Sequence, residues 1–187
     1  LLMLINDILD FSKLDSGKME FHLASIEITP FLNEAISINQ DYAKKFNTKF
    51  ILTESPDNMF CLTDSNRLMQ VMSNLMSNAA KFSPEKSEIE LSAYIENNVL
   101  RINVKDYGPG ISEEFKSRLF EKFAQSETGN TRKVGGTGLG LNISKMIMEN
   151  LGGNLNYTSN EKNEEQGGQG EQGSTFYILL PLPENEE

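Results

Sequence analysis

The chain has 187 residues, 38% of them hydrophobic and 24% charged, with a net charge of −10; a chain this long buries about 70% of its unfolded surface and needs no staples. Its acidity, with no cluster of Lys and Arg, excludes nucleic acid and anionic membrane as partners, since either demands a basic face that displaces counterions. An acidic protein that binds a polyanion must do so locally, through aimed backbone N–H groups, a metal and one or two cations.

Cys61 is the only cysteine, so no internal disulfide forms and the residue reads as a small buried hydrophobe in a reducing, cytoplasmic compartment. No segment offers the ~20 apolar residues of a membrane span, and the N-terminus lacks the basic start and cleavage site of a signal peptide. The chain begins Leu-Leu-Met, which predicts a piece of a longer protein whose upstream segments could anchor it in a membrane. No internal repeat is present, so the length predicts one domain plus a short extra element.

Leu1, Ile5, Ile8, Phe11 and Leu14 follow helical spacing to about residue 16, with Gly17 as C-terminal cap, and predict the end of a longer helix that packs on another. From Lys18 the pattern alternates through Met19, Phe21, Leu23, Ile26 and Ile28, predicting one or two strands that stop at Pro30, with a domain boundary near Gly17. Residues 30–46 predict a helix with Phe31, Leu32, Ala35, Ile36, Ile38, Tyr42 and Phe46 inward. Two short strands, 49–53 and 59–62, follow around a Ser-Pro-Asp-Asn turn. Asp64 or Ser65 then caps a helix that ends at Phe82 before Ser83-Pro84.

Residues 87–95 and 99–105 alternate around Asn97-Asn98 and predict a hairpin. Residues 106–138 hold six of the fourteen glycines and little periodicity, which predicts a long functional loop. A helix over about 138–151, ended by Gly152-Gly153, leads into strands at 154–159 and 174–180. Between them EKNEEQGGQGEQG is a polar low-complexity insertion, predicted as a disordered hairpin loop over about 161–173 with no function of its own. The element order predicts an α+β fold, a two-layer α/β sandwich whose mixed sheet is covered on one face by about three helices.

Three stretches could carry chemistry. Asn74, Asn78 and Lys81, at i, i+4 and i+7, share one helical stripe, where two asparagines cost ~1 kcal/mol in propensity. A solvated polar face is the ordinary explanation, but Leu75, Met76, Ala79 and Phe82 surround the stripe. An amide oxygen suits Mg²⁺, which takes its negative partners from phosphates, and a lysine one turn on suits a phosphate. In DYGPGI, from Asp106 to Ile111, Gly-Pro-Gly alone is a turn; the carboxylate at a strand end could also accept from an exocyclic amine. GGTGLGL, from Gly135 to Leu141, opens a helix with glycines that let N–H groups approach an anion. Its spacing is neither Walker A nor Rossmann.

In this order the stretches closely resemble the ATP-binding catalytic domain of sensor histidine kinases, within the GHKL ATPase superfamily, over nearly the whole chain. QVMSNLMSNAAKF resembles the N box, DYGPGI the G1 box, FEKFAQ the F box and GGTGLGLNIS the G2 box. LINDILDFSKLDSGKMEF is similar to the end of the second dimerisation helix and the first strand, giving residues 1–17 to that helix and 18–187 to the catalytic domain.

The resemblance implies ATP and Mg²⁺ as cofactors, with Asn78 on the metal and Asn74 and Lys81 as catalytic residues at the phosphates. Phe82 lines the nucleotide pocket, and Asp106 binds the adenine amine with Gly108 and Gly110 beside it. Ile111, Phe120, Gly136, Thr137, Gly138, Leu139 and Gly140 complete the nucleotide contacts, and about 112–135 forms the ATP lid. Hydrolysing relatives carry a glutamate four residues before the metal Asn; Asn74 cannot act as a general base there, which implies phosphoryl transfer to a protein side chain.

The implied partners are the protein's own dimerisation and phosphoacceptor domain, a second copy in a homodimer, and the receiver domain of a response regulator. The single histidine, His22 in FHLAS, matches no phosphoacceptor motif and reads as a surface or packing residue. The alternatives are a degenerate nucleotide-binding regulatory module and a GHKL ATPase. Tyr107 departs from the family's small or polar residue and either packs on the sheet or shades the adenine pocket.

Overall fold

The computed structural model describes residues 2–125, 136–160 and 172–182. The predicted lid beyond residue 125 and nearly all of the predicted insertion lie outside these residues.

Helix α1 spans Leu2–Asp15 and closes as its glycine predicts: the N–H of Gly17 donates to the Leu14 carbonyl at 3.0 Å and that of Lys18 to Lys13 at 2.8 Å, a paired C-terminal cap. Strand β1, Ala24–Glu27, is followed at once by helix α2, Ile28–Lys44, so the strand expected to run to Pro30 ends three residues earlier. Pro30 did not stop a strand. It sits in the first turn of α2, where a backbone N–H has no intrahelical acceptor and its loss costs nothing.

Strands β2, Lys49–Glu54, and β3, Phe60–Thr63, flank the expected turn but part company: β3 pairs antiparallel with β1, and β2 joins the main sheet. Helix α3, Ser65–Phe82, starts at an Asp64 whose Oδ1 accepts from Asn66 N and Arg67 N, both at 3.0 Å. Strands β4, Glu88–Glu96, and β5, Val99–Asp106, form the expected hairpin. Asn97 and Asn98, at φ 50° and 63°, give the left-handed turn that matches strand twist. The long loop carries the short helix α4, Glu113–Lys116, before helix α5, Gly140–Asn150, and strands β6, Asn154–Asn160, and β7, Gly173–Pro181. The main sheet runs β2-β4-β5-β7-β6. Its β2–β4 pair is parallel and the others antiparallel, so the sheet is mixed, as expected.

One face of this sheet presents Ile89, Leu91, Leu100, Ile102, Ile178 and Leu180, all fully buried. Helices α2, α3 and α5 close over that face, α3 through Leu68, Val71, Met72, Leu75 and Met76. Each such side chain contributes about 1.5–3 kcal/mol. The opposite face is polar; on it the Arg101 guanidinium stacks 3.7 Å over the Tyr177 ring. Ile38, expected inward, is 58% exposed, because Asn39 takes the inward position, donating to the Ala35 carbonyl at 2.8 Å and Ser73 Oγ at 3.1 Å. Cys61 is buried as expected, and desolvation pushes its thiol up to about 11, which makes it inert.

Asp64 also accepts at Oδ2 from the His22 N–H at 2.7 Å, so one carboxylate ties the segment after α1 to the start of α3. Burial opposes its ionisation, but these three backbone donors win and hold its pKa below the ordinary value. The stability it confers is therefore present above about pH 4 and lost as pH falls through its lowered pKa. Asp64→Ala should lower unfolding free energy by roughly 1–2 kcal/mol in urea titrations at pH 7, with a smaller difference from the unsubstituted chain at pH 3.

Candidate functional site

The sequence of α3 sets the site's axis. Its apolar stripe faces the sheet, which leaves Asn74, Asn78 and Lys81 half-buried along one flank. Asn78 bonds to none of the described residues, so its amide oxygen is available. Asn74 does not stand free: its Nδ2 donates to Ser144 Oγ on α5 at 2.9 Å. The Lys81 ammonium lies 4.9 Å from the Phe82 ring centroid and 3.4 Å from where a Cβ on Gly136 would be, and burial pushes its pKa down. A phosphate beside it would favour the charged form.

At the C-terminal end of α3 the chain meets the end of β5. Asp106, last residue of β5, is only 6% exposed and its Oδ1 accepts from Gly108 N at 2.9 Å and Ser174 N at 3.3 Å. Oδ2 accepts from none of the described residues. Burial raises the pKa to about 6, against the two backbone donors that lower it. Gly108 is required by closeness: a Cβ there would lie 2.7 Å from the Phe82 carbonyl oxygen. Gly110 turns at φ 80° and Ile111 packs in the core, its N–H donating to Ser159 Oγ at 2.7 Å. Tyr107 points the other way. Its hydroxyl donates to Glu90 and its ring lies under Lys105 Nζ, both on the polar sheet face. It packs on the sheet and leaves the Asp106 side open.

The glycine-rich start of α5 lies against the same flank. A Cβ on Gly140 would fall inside the Asn74 carboxamide, so the helices touch backbone to side chain. Thr137 Oγ1 donates to Asp7 Oδ2 on α1 at 2.7 Å and accepts from Leu139 N at 3.2 Å; Leu139 is buried. Gly138, at φ 71°, backs onto the Phe123 backbone. The Phe120 ring packs on Tyr157 at 6.0 Å and its carbonyl accepts from Asn142 Nδ2 at 2.8 Å, which fastens the segment after α4 to α5 and β6. Asp106, Gly108 and Phe82 thus form one end of a line, Lys81 and Gly136 its middle, and Asn74 and Gly140 the other end.

The residue that sequence reading overlooked is Ser144. Gly140 and Ser144 are four apart on α5, two small residues on one stripe, and that spacing was the available signal. Among the described residues no cluster of three His, Cys, Asp or Glu could hold a metal. A cation here would have one neutral protein oxygen, from Asn78, and fits only an ion that keeps waters and shares phosphates, as Mg²⁺ does.

The family model for histidine kinase-, DNA gyrase B-, and HSP90-like ATPases matches residues 63–184. The chain is 35% identical over its whole length to the autoinducer 2 sensor kinase/phosphatase LuxQ of Vibrio harveyi, covering 21% of that protein. It is 32% identical, again over its whole length, to the sensor histidine kinase WalK of Bacillus subtilis, covering 29%. The crystal structure of full-length ShkA in complex with AMPPNP superposes with TM-score 0.80 at 28% identity, over 96% of this chain and 35% of that one. The chain therefore belongs to the histidine kinase-, DNA gyrase B-, and HSP90-like ATPase family, as an ATP-binding catalytic domain of the sensor histidine kinase type. It spans less than a third of the length of those curated relatives.

The raised pKa of Asp106 has a stability consequence. Its ionised form is disfavoured by folding, so the stabilisation it gives is full below about pH 4 and lost as pH rises through about 6. Asn in its place keeps Oδ1 for both backbone donors and removes the buried charge. Asp106→Asn should raise unfolding free energy by roughly 2 kcal/mol at pH 7.5 and by much less at pH 4 in paired denaturant titrations.

Proposed function

We propose that residues 18–187 bind ATP with Mg²⁺ along the line from Asp106 to Gly140 and donate its γ-phosphoryl to a histidine outside this chain. Residues 1–17 are the end of the helix that carries the dimer interface in the intact protein. The observation that carries the reading is Asp106, whose Oδ2, at a buried strand end with glycine backbone beside it, accepts from none of the described residues. That atom suits the exocyclic amine of adenine, and the selectivity is chemical: a donor is required opposite it.

From the base end, Phe82 borders the pocket, Lys81 neutralises phosphate charge, and the glycine-rich start of α5 would offer the anion its N–H groups, except that of Leu139, which Thr137 Oγ1 already takes. Asn78 would hold Mg²⁺, which would supply positive charge against the phosphates. In the transfer the bond from the γ-phosphorus to its bridging oxygen breaks as a P–N bond forms to the acceptor imidazole, and ADP leaves. Asn74 offers no base to activate water, which favours transfer over hydrolysis. The phosphoryl group then passes to an aspartate of a response regulator, and the phosphoacceptor histidine comes from the protein's own dimerisation domain.

Calorimetric titration with ADP and Mg²⁺ should show binding that falls about tenfold per pH unit below about 6, as Asp106 takes up a proton. Asp106→Asn should abolish it. No heat from the unsubstituted chain would favour a regulatory scaffold. With labelled ATP the chain should neither label itself nor release phosphate steadily; labelling of His22 would contradict the assignment of an outside acceptor.

A further inference from the structure

Resting on the nucleotide reading, we propose that Ser144 is a positioning residue for the terminal-phosphate end of the site, acting by pinning the Asn74 carboxamide against the start of α5. Ser144 is 2% exposed and lies one turn beyond Gly140, on the stripe of α5 that meets α3. Its Oγ accepts from Asn74 Nδ2 at 2.9 Å, and Gly140 meets the same carboxamide, Oδ1 first. Asn74 is thus held on two sides by α5, at the very helix start whose N–H groups would take the phosphates.

Distance along α3 says which phosphate is affected. Phe82 borders the base end through Gly108, and Asn74 lies eight residues back, or ~12 Å at the helical rise. It is therefore at the far end of the line, where a triphosphate reaches and a diphosphate stops short. An unpinned carboxamide would sample other rotamers and face the terminal phosphate only part of the time. Ser144 touches no nucleotide in this scheme; its whole effect passes through Asn74. The sequence separation of seventy residues makes the contact a product of the fold alone.

The test is a double-mutant cycle read on the ratio of affinities for AMP-PNP and ADP, each with Mg²⁺, in the unsubstituted chain, Ser144→Ala, Asn74→Ala and the double variant. Loss of one buried hydrogen bond predicts that Ser144→Ala weakens AMP-PNP about five- to tenfold more than ADP. In the Asn74→Ala background the same substitution should leave the ratio unchanged. Alanine is the better helix former, so Ser144→Ala retains the fold, and a thermal melt confirms it. Equal weakening of both nucleotides, no weakening of either, or an effect that persists without Asn74 would overturn the proposal. If the unsubstituted chain binds neither nucleotide, the nucleotide reading fails and this proposal with it; failure of the ratio alone leaves that reading standing.

Discussion

The close seating of α3 between two glycines is the constraint on which the site depends. At its C-terminal end the Phe82 carbonyl approaches Gly108 to a distance that any Cβ would block, and at its middle the Asn74 carboxamide lies against Gly140. Glycine costs conformational entropy at both positions, yet it lets a helix end meet a strand end and another helix's start with nothing between. That contact aligns a carboxylate, an ammonium, two amides and a glycine-rich helix start along one flank. A larger residue at either place would push α3 outward and pull its stripe away from the groups it faces.

Burial then gives these groups their chemistry. The molecule carries ten net negative charges, a poor starting point for a polyanion. The site counters this locally, with Lys81 desolvated so that it gains from a phosphate and Asp106 desolvated so that it gains from a donor. The two lie at opposite ends of the same α3–Gly108 contact, matching a ligand that is a hydrogen-bond donor at one end and an anion at the other. On the open sheet face charged and polar groups meet one another instead: Arg101 meets Glu96 at 2.8 Å and the Asn103 amide oxygen at 2.8 Å, and Tyr107 meets Glu90.

Much of this was legible because it rests on periodicity. The Asn74, Asn78 and Lys81 stripe follows from helical spacing, and the mixed sheet with its helical cover follows from the element order, though not the separate pairing of β1 with β3. The direction of Tyr107 was also legible in principle, since strand alternation sends Asp106 inward with Val104 and Tyr107 outward with Lys105. Local pattern misled where two structures share one signal: Ile28 fits the end of an alternating strand and equally the first turn of a helix, and Pro30 is tolerated in both. Ile38 and Asn39 exchanged roles because an inward asparagine with two acceptors in reach costs little. The Asn74–Ser144 bond and the Thr137–Asp7 bond were beyond sequence reading, since each joins segments that only the fold brings together.

The family contains hydrolases and kinases on one fold, and the difference lies in what stands beside the terminal phosphate. In the proposed reading it is a carboxamide held by a serine, on a helix whose next turns would supply the metal amide and the ammonium. The central claim is that an adenine nucleotide lies along this flank, base at Asp106 and phosphates at the start of α5. Backbone amide shifts followed by NMR during titration with Mg²⁺ and ADP test it most directly. The account predicts the largest shifts at Asn78, Lys81, Gly108, Gly110 and Gly136 to Gly140; shifts centred on Arg101, Tyr107 and Tyr177 across the sheet would contradict it.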